Sequence, residues 1–441
     1  MIEVEKNKRV KTFVVCPIIS GNFSLLSDES RLSEAIGLAE AINLDVCYSE
    51  IKNLRELKPA TFFSGSFITQ AAAVIAEKQI ELMVVDGHLT PIQQRNLEKK
   101  LNIKVIDRTA LILEIFGERA HTKEGVLQVE LAHLTYQRSR LVRSWTHLER
   151  QRGGSGFLGG PGETQIELDR RIIDDKIVRI KKDLEKVRQT RNIQRGARRK
   201  VPYPTVALVG YTNAGKSTLF NYLTQSNVMA EDMLFATLDP TMRKITLPGG
   251  TEAILSDTVG FISDLPHELI MAFRATLEEV LNADIILHVC DVADDDFRIR
   301  REDVLQVLAD LGLKNIEYDN CYLEVLNKAD LLTDEDRCGW QSRLERSAGN
   351  SALISACSGF GCNILLELIE RKLNSNRQTY RITMPISDGK TAAWLYRNSS
   401  IEKVENDEHE NTYIVKITPE DLSRLSKILP NNNHINIRKE P

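Results

Sequence analysis

The chain has 441 residues, 42% hydrophobic and 27% charged, a composition typical of a globular protein with roughly two to four domains. It contains no apolar run of about 18 residues or more, and its first ten residues are polar and charged, so the sequence predicts neither a membrane span nor a secretory signal. The seven cysteines form no CxxC pair, which favours reduced core residues in a cytoplasmic protein over disulfides or zinc ligands.

Charge is distributed unevenly along the chain. The net charge is −4, yet residues 138–200 carry 18 Lys and Arg against 8 Asp and Glu, a local balance of +10. Such segregation favours a region that binds a polyanion.

Residues 11–108 alternate between strand-like and helix-like patterns. The strand-like segments are Thr12–Pro17, Asp45–Tyr48, Leu82–Asp86 and Lys104–Ile106, and the helix-like segments lie near Arg31–Ile42, Ser66–Glu77 and Pro91–Leu101. This alternation predicts a small parallel α/β domain, which we place at residues 1–110.

Two segments with heptad-like spacing follow, on either side of a glycine-rich break. Their apolar positions are Leu127, Leu131, Leu134, Leu141, Trp145 and Leu148, then Ile166, Ile173, Ile177, Ile180, Leu184 and Val187. Six of the ten residues in Gly153–Gly162 are glycine, so the backbone there can approach a ligand closely. We predict an antiparallel helical hairpin over residues 111–200, with this loop at its tip.

The second half of the hairpin is basic. Lys176–Lys200 contains 11 Lys and Arg against only Asp183 and Glu185. Such a surface can neutralise RNA phosphates in a salt-sensitive and largely sequence-independent way. The alternative is a solvated charged face of a coiled-coil-like hairpin.

Two more domains complete the predicted architecture of a multidomain α/β protein. A buried strand at Thr205–Val209 opens a second α/β region, placed at residues 201–375. From Tyr380 onward, a strand–helix–strand–strand–helix pattern predicts a small α+β domain at residues 376–441.

The strand at Thr205–Val209 leads directly into a phosphate-binding motif. Its residues are Gly210, Tyr211, Thr212, Asn213, Ala214, Gly215, Lys216 and Ser217. Glycines let the backbone N–H groups wrap a phosphate, Lys216 would reach the β- and γ-phosphates, and the Ser217 hydroxyl would bind Mg²⁺. A plain glycine-rich turn is disfavoured, because a strand precedes the motif and an amphipathic stretch follows it.

A second motif follows the apolar run Ala253–Leu255. It comprises Asp257, Thr258, Val259 and Gly260. At a strand end, the carboxylate can hold Mg²⁺ through water and the Gly260 N–H can meet the γ-phosphate.

Two further motifs favour guanine as the base. They are Asn327, Lys328, Ala329 and Asp330, then Ser355, Ala356 and Cys357. The Asp330 carboxylate can accept hydrogen bonds from the ring N–H and the exocyclic amine of guanine, a donor pair that adenine lacks. The second motif would cap the base through a backbone N–H.

A switch segment is expected between the first two motifs, at Phe235, Ala236, Thr237, Leu238, Asp239, Pro240 and Thr241. Such a segment needs a hydroxyl that can join Mg²⁺ when the γ-phosphate is present. Thr237 and Thr241 are both candidates, and their spacing does not choose between them.

Two residues bear on the rate of hydrolysis. Phe261 follows Gly260 where Ras-like proteins have a glutamine that orients the attacking water, so we expect slow intrinsic hydrolysis that a partner stimulates. Asn213 could coordinate a potassium ion beside the phosphates, or it could only stabilise its loop.

With these motifs, the chain resembles the HflX family of GTPases. The matching segments are Val105–Leu134, Gly153–Arg171, Gly210–Asn221, Phe235–Thr241 and Asp257–Val289. The resemblance implies an N-terminal α/β domain, a hairpin with a glycine-rich loop, a Ras-like GTPase domain and a short C-terminal domain. It also implies a protein that docks on the large ribosomal subunit and splits or rescues stalled ribosomes. We expect the protein to be monomeric when bound.

The resemblance also implies roles for individual residues. Nucleotide contacts would come from Gly210–Ser217, Phe235–Asp239, Asp257–Gly260, Asn327–Asp330 and Ser355–Cys357. Mg²⁺ would be held by Ser217 and Thr237, and catalysis would involve Lys216, Thr237 and Gly260. The chain departs from the family at Ser263, where many members carry a basic residue, and residues 376–441 match only loosely.

Two other functions remain open from the residues. One is a GTPase switch that acts on a protein partner, with the hairpin as docking arm. The other is an ATP- or GTP-dependent RNA remodeller with a second nucleotide site in residues 11–108, where no second phosphate-binding loop of this type occurs.

Overall fold

Three β-sheets and a long helical hairpin organise the part of the chain that the computed structural model describes. The described residues are 9–20, 26–151, 161–198, 203–226, 234–235, 241–263, 279–346, 350–375, 378–407, 409–417, 419–428 and 435–439.

The first sheet is parallel, with strand order β2-β1-β3-β4. Its elements are β1 (Lys11–Ile19), α1 (Asp28–Glu40), β2 (Asp45–Leu54), α2 (Gly65–Lys78), β3 (Leu82–Val85), α3 (Pro91–Leu101), β4 (Lys104–Asp107) and α4 (Arg108–Arg119). The predicted alternation is therefore confirmed. Strand β2 runs six residues beyond its predicted end, because an edge strand can carry polar, half-buried residues such as Glu50 and Lys52 on a face of the sheet.

The hairpin consists of α5 (Lys123–Gln151) and α6 (Pro161–Arg198), with Leu134, Ile177 and Ile180 buried between them. The helices are antiparallel, because residues earlier in α5 lie near residues later in α6: Arg138 is 3.2 Å from Asp174, whereas Lys123 interacts electrostatically with Asp183. The pKa of Asp183 is lowered mainly by its hydrogen bond from Lys186 and also by Lys123. Residues 152–160, most of the predicted tip loop, lie outside the described residues. Despite the length of α6, no helix in the described part of the chain is apolar enough to cross a membrane.

The second sheet has the order β10-β9-β8-β5-β7-β6, with only β6 antiparallel to its neighbour. Its strands are β5 (Thr205–Gly210), β6 (Thr241–Thr246), β7 (Glu252–Asp257), β8 (Ile285–Asp291), β9 (Tyr322–Asn327) and β10 (Ser351–Leu353). Its helices are α7 (Lys216–Thr224), α8 (Phe297–Asp310), α9 (Asp334–Arg346) and α10 (Cys362–Ser375). Strands β5 and β8 are almost entirely apolar and buried, as expected for parallel strands covered on both faces. The motifs that follow β5, β7 and β9 consequently meet at one edge of the sheet.

The third sheet is antiparallel, with the order β12-β13-β11-β14. Its elements are β11 (Gln378–Pro385), α11 (Gly389–Asn398), β12 (Ser400–Asn406), β13 (Glu410–Ile417), α12 (Pro419–Ile428) and β14 (Asn436–Lys439). The predicted strand–helix–strand–strand–helix order is confirmed. The sequence pattern missed β14, because four residues with two cations give too little alternation to detect.

The central strand of the second sheet provides a test of its packing. Leu208 in β5 is fully buried, whereas Leu331 is 65% exposed. We expect Leu208→Ala to lower the free energy of unfolding of this sheet by about 2–5 kcal/mol, through lost burial and the resulting cavity. Leu331→Ala should change it by less than about 0.5 kcal/mol. Hydrogen exchange of β5 and β8 peptides across a urea series would measure both, and equal effects would contradict this packing.

Candidate nucleotide-binding site

The loop between β5 and α7 is shaped by close backbone contacts. Gly210 has φ +152°, and a Cβ there would lie 2.2 Å from the Val289 carbonyl oxygen. Gly215 has φ +89°, and a Cβ there would lie 2.2 Å from the Asn327 Nδ2. Only glycine fits either position, so the spacing found in the sequence has a direct steric cause.

Lys216 begins α7 and points back over this loop. Its ammonium donates to the carbonyl oxygens of Gly210 at 3.1 Å and Tyr211 at 2.7 Å, and the side chain is buried. Burial lowers its pKa to about 8, although Asp257 partly opposes the change. The loop thus holds a cation whose neighbours are mostly carbonyl dipoles.

The second motif lies beside the first because β7 pairs with β5, with Leu208 opposite Asp257. The Ser217 hydroxyl donates to the fully buried Asp257 carboxylate at 2.8 Å. The Thr258 hydroxyl donates to the Leu208 carbonyl and so ties the motif to the central strand. Ser217 and Asp257 form a set of hard oxygen donors of the kind that Mg²⁺ prefers.

Gly260 lies directly against the phosphate-binding loop. A Cβ at this position would lie 2.8 Å from the Thr212 Cγ2 and 3.0 Å from the Lys216 Nζ. The pairing of β5 with β7 is extended just beyond Gly260 by two backbone hydrogen bonds. The Phe261 N–H donates to the Gly210 oxygen at 3.0 Å, and the Thr212 N–H donates to the Phe261 oxygen at 2.7 Å. The Phe261 side chain is only 4% exposed, within the core.

Asn327, at the end of β9, joins two of the loops. Its amide Nδ2 donates to the Ala214 carbonyl at 2.9 Å, and its Oδ1 accepts from the Ala356 N–H at 2.9 Å. The side chain is buried, so both hydrogen bonds are shielded from water. Asn327 therefore positions the first motif and the Ser355–Cys357 segment relative to each other.

The remaining residues of the last two motifs line the same edge. The Lys328 ammonium lies 2.9 Å from the Asp291 carboxylate. Ala329 is buried, and its N–H donates to the Ile354 carbonyl. Asp330 and Cys357 are exposed, and Ser355 and Ala356 are buried. The exposed Asp330 carboxylate is thus available to a base.

The predicted switch segment is only partly placed. Residues 236–240, which include Ala236, Thr237, Leu238 and Asp239, lie outside the described residues. The Phe235 side chain is buried against Phe116 of α4, with ring centroids 4.7 Å apart, so any contact of Phe235 with a nucleotide would involve its backbone. Thr241 begins β6 directly opposite Asp257.

A buried polar cluster, which the sequence analysis missed, connects this site to the first sheet. The Tyr211 hydroxyl donates to the Glu34 carboxylate of α1. Arg108 forms ion pairs with both Glu34 and Asp86 (at 2.6 Å for Asp86), and it donates to the Ser263 carbonyl at 3.0 Å. One sequence signal was available: Glu34 interrupts the buried face of α1 next to Ala35 and Leu38.

Comparisons with known families agree with this geometry. Residues 29–117 match the family model described as GTP-binding GTPase N-terminal, and residues 119–198 match GTP-binding GTPase Middle Region. Residues 205–328 match the model described as 50S ribosome-binding GTPase.

Curated relatives are similar to this chain over nearly its whole length. The GTPase HflX of Magnetococcus marinus is 50% identical, over 89% of this chain and 89% of the relative. The GTPase HflX of Escherichia coli is 43% identical, over 92% of this chain and 94% of the relative. A solved GTP-binding protein from Sulfolobus solfataricus in complex with GDP aligns with a TM-score of 0.45 and 22% identity, covering 83% of this chain and 99% of that one. Because half of its residues are identical to those of a GTPase HflX along nearly the whole chain, this protein belongs to the HflX family of GTPases and hydrolyses GTP.

Proposed function

We propose that this GTPase docks on the large ribosomal subunit in its GTP-bound form, through the basic hairpin, and splits or rescues stalled ribosomes. The observation that carries the proposal is the outward-facing basic surface of α6. Lys176, Arg179, Lys181, Lys182 and Lys186 are exposed there, while Ile177 and Ile180 face α5. The match of residues 205–328 to a model described as 50S ribosome-binding GTPase supports the same partner.

The nucleotide would be held by the four motifs and the switch segment. We assign these contacts to Gly210–Ser217, Phe235–Asp239, Asp257–Gly260, Asn327–Asp330 and Ser355–Cys357. Backbone N–H groups at the start of α7 favour phosphate, and the exposed Asp330 carboxylate suits the donor edge of guanine.

In the hydrolysis step, the residues of this chain would act mainly by positioning and by electrostatics. The Lys216 ammonium would exchange its carbonyl partners for phosphate oxygens, and the Gly260 N–H would meet the γ-phosphate. Ser217 and Thr237 would hold Mg²⁺, which supplies positive charge beside the phosphates. The buried Phe261 ring cannot orient a water, so turnover should be slow until a partner completes the site. Asn213 is exposed on the phosphate-binding loop, and its side-chain oxygen could coordinate a potassium ion that adds positive charge beside the phosphates.

We further propose that the chain works as four units. These are an N-terminal α/β domain (1–110), the hairpin (111–200), the GTPase domain (201–375) and a small C-terminal domain (376–441). Ordering of the switch by GTP would fix the angle between the GTPase domain and the hairpin, and hydrolysis would relax it. The location we propose is the cytoplasm, where ribosomes are found.

Base selectivity tests the assignment of Asp330. We expect Asp330→Asn to weaken GTP binding roughly a hundredfold, because one acceptor oxygen becomes an NH2 donor and the other loses its charge. The same variant should gain affinity for xanthosine triphosphate, whose ring carbonyl can accept from the new amide. Asp334→Asn removes a nearby exposed acid and serves as the control. Unchanged selectivity in Asp330→Asn would remove this residue from the site.

The pH dependence of GDP binding tests Lys216. Because burial lowers its pKa to about 8 and bound phosphates would raise it again, binding takes up a proton above that pH. Affinity should therefore be constant below about pH 8 and fall above it, approaching tenfold per pH unit. Lys216→Arg keeps its charge throughout and should bind more weakly but with a flat profile. Calorimetric titration from about pH 7 to about pH 9 would measure both, and a flat wild-type profile would contradict the assignment.

The docking surface is tested with purified large ribosomal subunits. We expect these subunits to stimulate GTP hydrolysis strongly and to pellet the protein with a non-hydrolysable GTP analogue. Lys181→Glu/Lys182→Glu should weaken pelleting and lower the salt slope by about 2, since each lysine neutralises about one phosphate. The control is Lys99→Glu/Lys100→Glu, a lysine pair that is also exposed, at the end of α3.

The outcomes separate the partner from the enzyme. Stimulation and pelleting that depend on α6 charges but not on the α3 pair would support ribosome docking by the hairpin. Equal losses from both pairs would mean that only overall charge matters. If the subunits neither stimulate hydrolysis nor pellet the protein, the ribosomal partner is wrong. The GTPase assignment would stand, and the search would move to a protein partner.

A further inference from the structure

We infer that Glu34 and Arg108, which lie in the N-terminal part of the chain, are positioning residues for GTP hydrolysis and act through Tyr211 and Ser263. Neither residue belongs to a nucleotide-binding motif. Together they hold the backbone on both sides of the place where the γ-phosphate would bind. The inference rests on the proposed nucleotide contacts and is independent of the ribosomal partner.

The first connection runs through Tyr211, the second residue of the phosphate-binding loop. Its hydroxyl donates to the Glu34 carboxylate and accepts from the Ser263 N–H at 2.9 Å. Burial, together with the Glu34 carboxylate, raises the pKa of Tyr211, so the hydroxyl stays protonated and remains a donor. On the ring face, the Arg300 guanidinium lies 5.0 Å from the centroid and also donates to the Ser30 hydroxyl at 3.0 Å.

The second connection runs through Ser263, three residues after Gly260. Each polar group of Ser263 has a partner: its N–H donates to Tyr211, its carbonyl accepts from Arg108, and its hydroxyl donates to Asp303 of α8 at 2.7 Å. Between Gly260 and Ser263, Phe261 is hydrogen-bonded to the phosphate-binding loop in both directions. The short segment that must present the Gly260 N–H is therefore fixed at its far end by the cluster.

The charged groups of the cluster are buried and paired: Arg108 lies between Glu34 and Asp86, and Arg31 lies 3.6 Å from Asp86, although the Arg108 Nε has no hydrogen-bond partner among the described residues. The Arg108 side chain is 10% exposed, and its two carboxylate partners Glu34 and Asp86 are 6% and 2% exposed. Removing one partner of such a group leaves an uncompensated buried charge, which is strongly unfavourable. Small displacements of Ser263 or Tyr211 would break several hydrogen bonds together, so the cluster favours one arrangement.

This arrangement should matter for GTP and much less for GDP. GDP has no γ-phosphate and makes no use of the Gly260 N–H. A loosened Ser263 would therefore lower the rate of hydrolysis without weakening the binding of the diphosphate. A purely structural role would instead lower both, because the loop itself would be damaged.

The test uses two conservative variants of the full-length protein. Tyr211→Phe keeps the packed ring and removes only the shared hydroxyl, and Glu34→Gln keeps the shape and removes the charge. For each we expect single-turnover GTP hydrolysis about tenfold slower, close to 1.4 kcal/mol in the barrier. Affinity for fluorescent GDP should stay within about twofold. The double variant should lose little more than the worse single variant, since both act through the same contact.

The control is a second charged contact of the first sheet that does not reach the nucleotide site. Arg140 of α5 lies 3.4 Å from the buried Asp107 carboxylate, and Arg140→Gln should leave hydrolysis unchanged. Unchanged or faster hydrolysis in Tyr211→Phe and Glu34→Gln, or an equal loss of GDP affinity, would overturn the inference. Lys216→Met tests the nucleotide site separately: if that variant still binds fluorescent GDP normally, the assigned site is wrong whatever the cluster does.

Discussion

Backbone crowding around the phosphate-binding loop is the constraint on which the rest of the site depends. Gly210 contacts the Val289 backbone, and Gly215 contacts the Asn327 side chain, at distances that leave no room for a Cβ. Gly260 approaches Lys216 and Thr212 almost as closely. The end of β5 and the loop after it contribute two of these glycines, and the segment after β7 contributes the third. These segments can approach each other and strands β8 and β9 only because no Cβ stands at the points of contact. The positions of these glycines in the sequence motifs are thus fixed by the lack of space for a Cβ in the folded site.

Convergence also places buried charges close together, and the electrostatics of the site follow from it. Lys216 is held by carbonyl oxygens, and Asp257 is fully buried beside Ser217. The protein bears the desolvation cost of these groups when it folds, so a nucleotide would meet an already oriented ammonium and already oriented oxygen donors. This preorganisation fits a functional role for a lysine whose pKa is lowered by burial: bound phosphates would add negative charge to that which Asp257 already supplies in part.

The sequence predicted the parts of the fold that short-range patterns determine. The first sheet, the paired helices and the order of the terminal elements follow from periodicity. The motifs place Lys216 at the start of a helix, and Asp257 and Asn327 at strand ends. Contacts between distant segments could not be predicted in this way. Glu34 and Tyr211 are 177 residues apart, and Arg108 and Ser263 are 155 apart, so no local pattern could pair them. Asn327 was expected in its motif, but its bridge from Ala214 to Ala356 required the folded sheet.

The carboxyl edge of the first sheet bears on the alternative of a second nucleotide site. Ligands of open parallel sheets usually bind at this edge. Here it carries two buried carboxylates, Asp86 after β3 and Asp107 at the end of β4. Asp86 is engaged by Arg108, and Asp107 accepts from the Tyr136 hydroxyl at 2.9 Å and pairs with Arg140. A nucleotide phosphate placed there would meet buried negative charge and cations that already have partners. The polar residues of this edge instead connect the first sheet to its neighbours. Asp107 contacts the hairpin, and Asp86 is connected through Arg108 to Ser263 beside the nucleotide site. These contacts suit a domain that orients the hairpin and the GTPase domain.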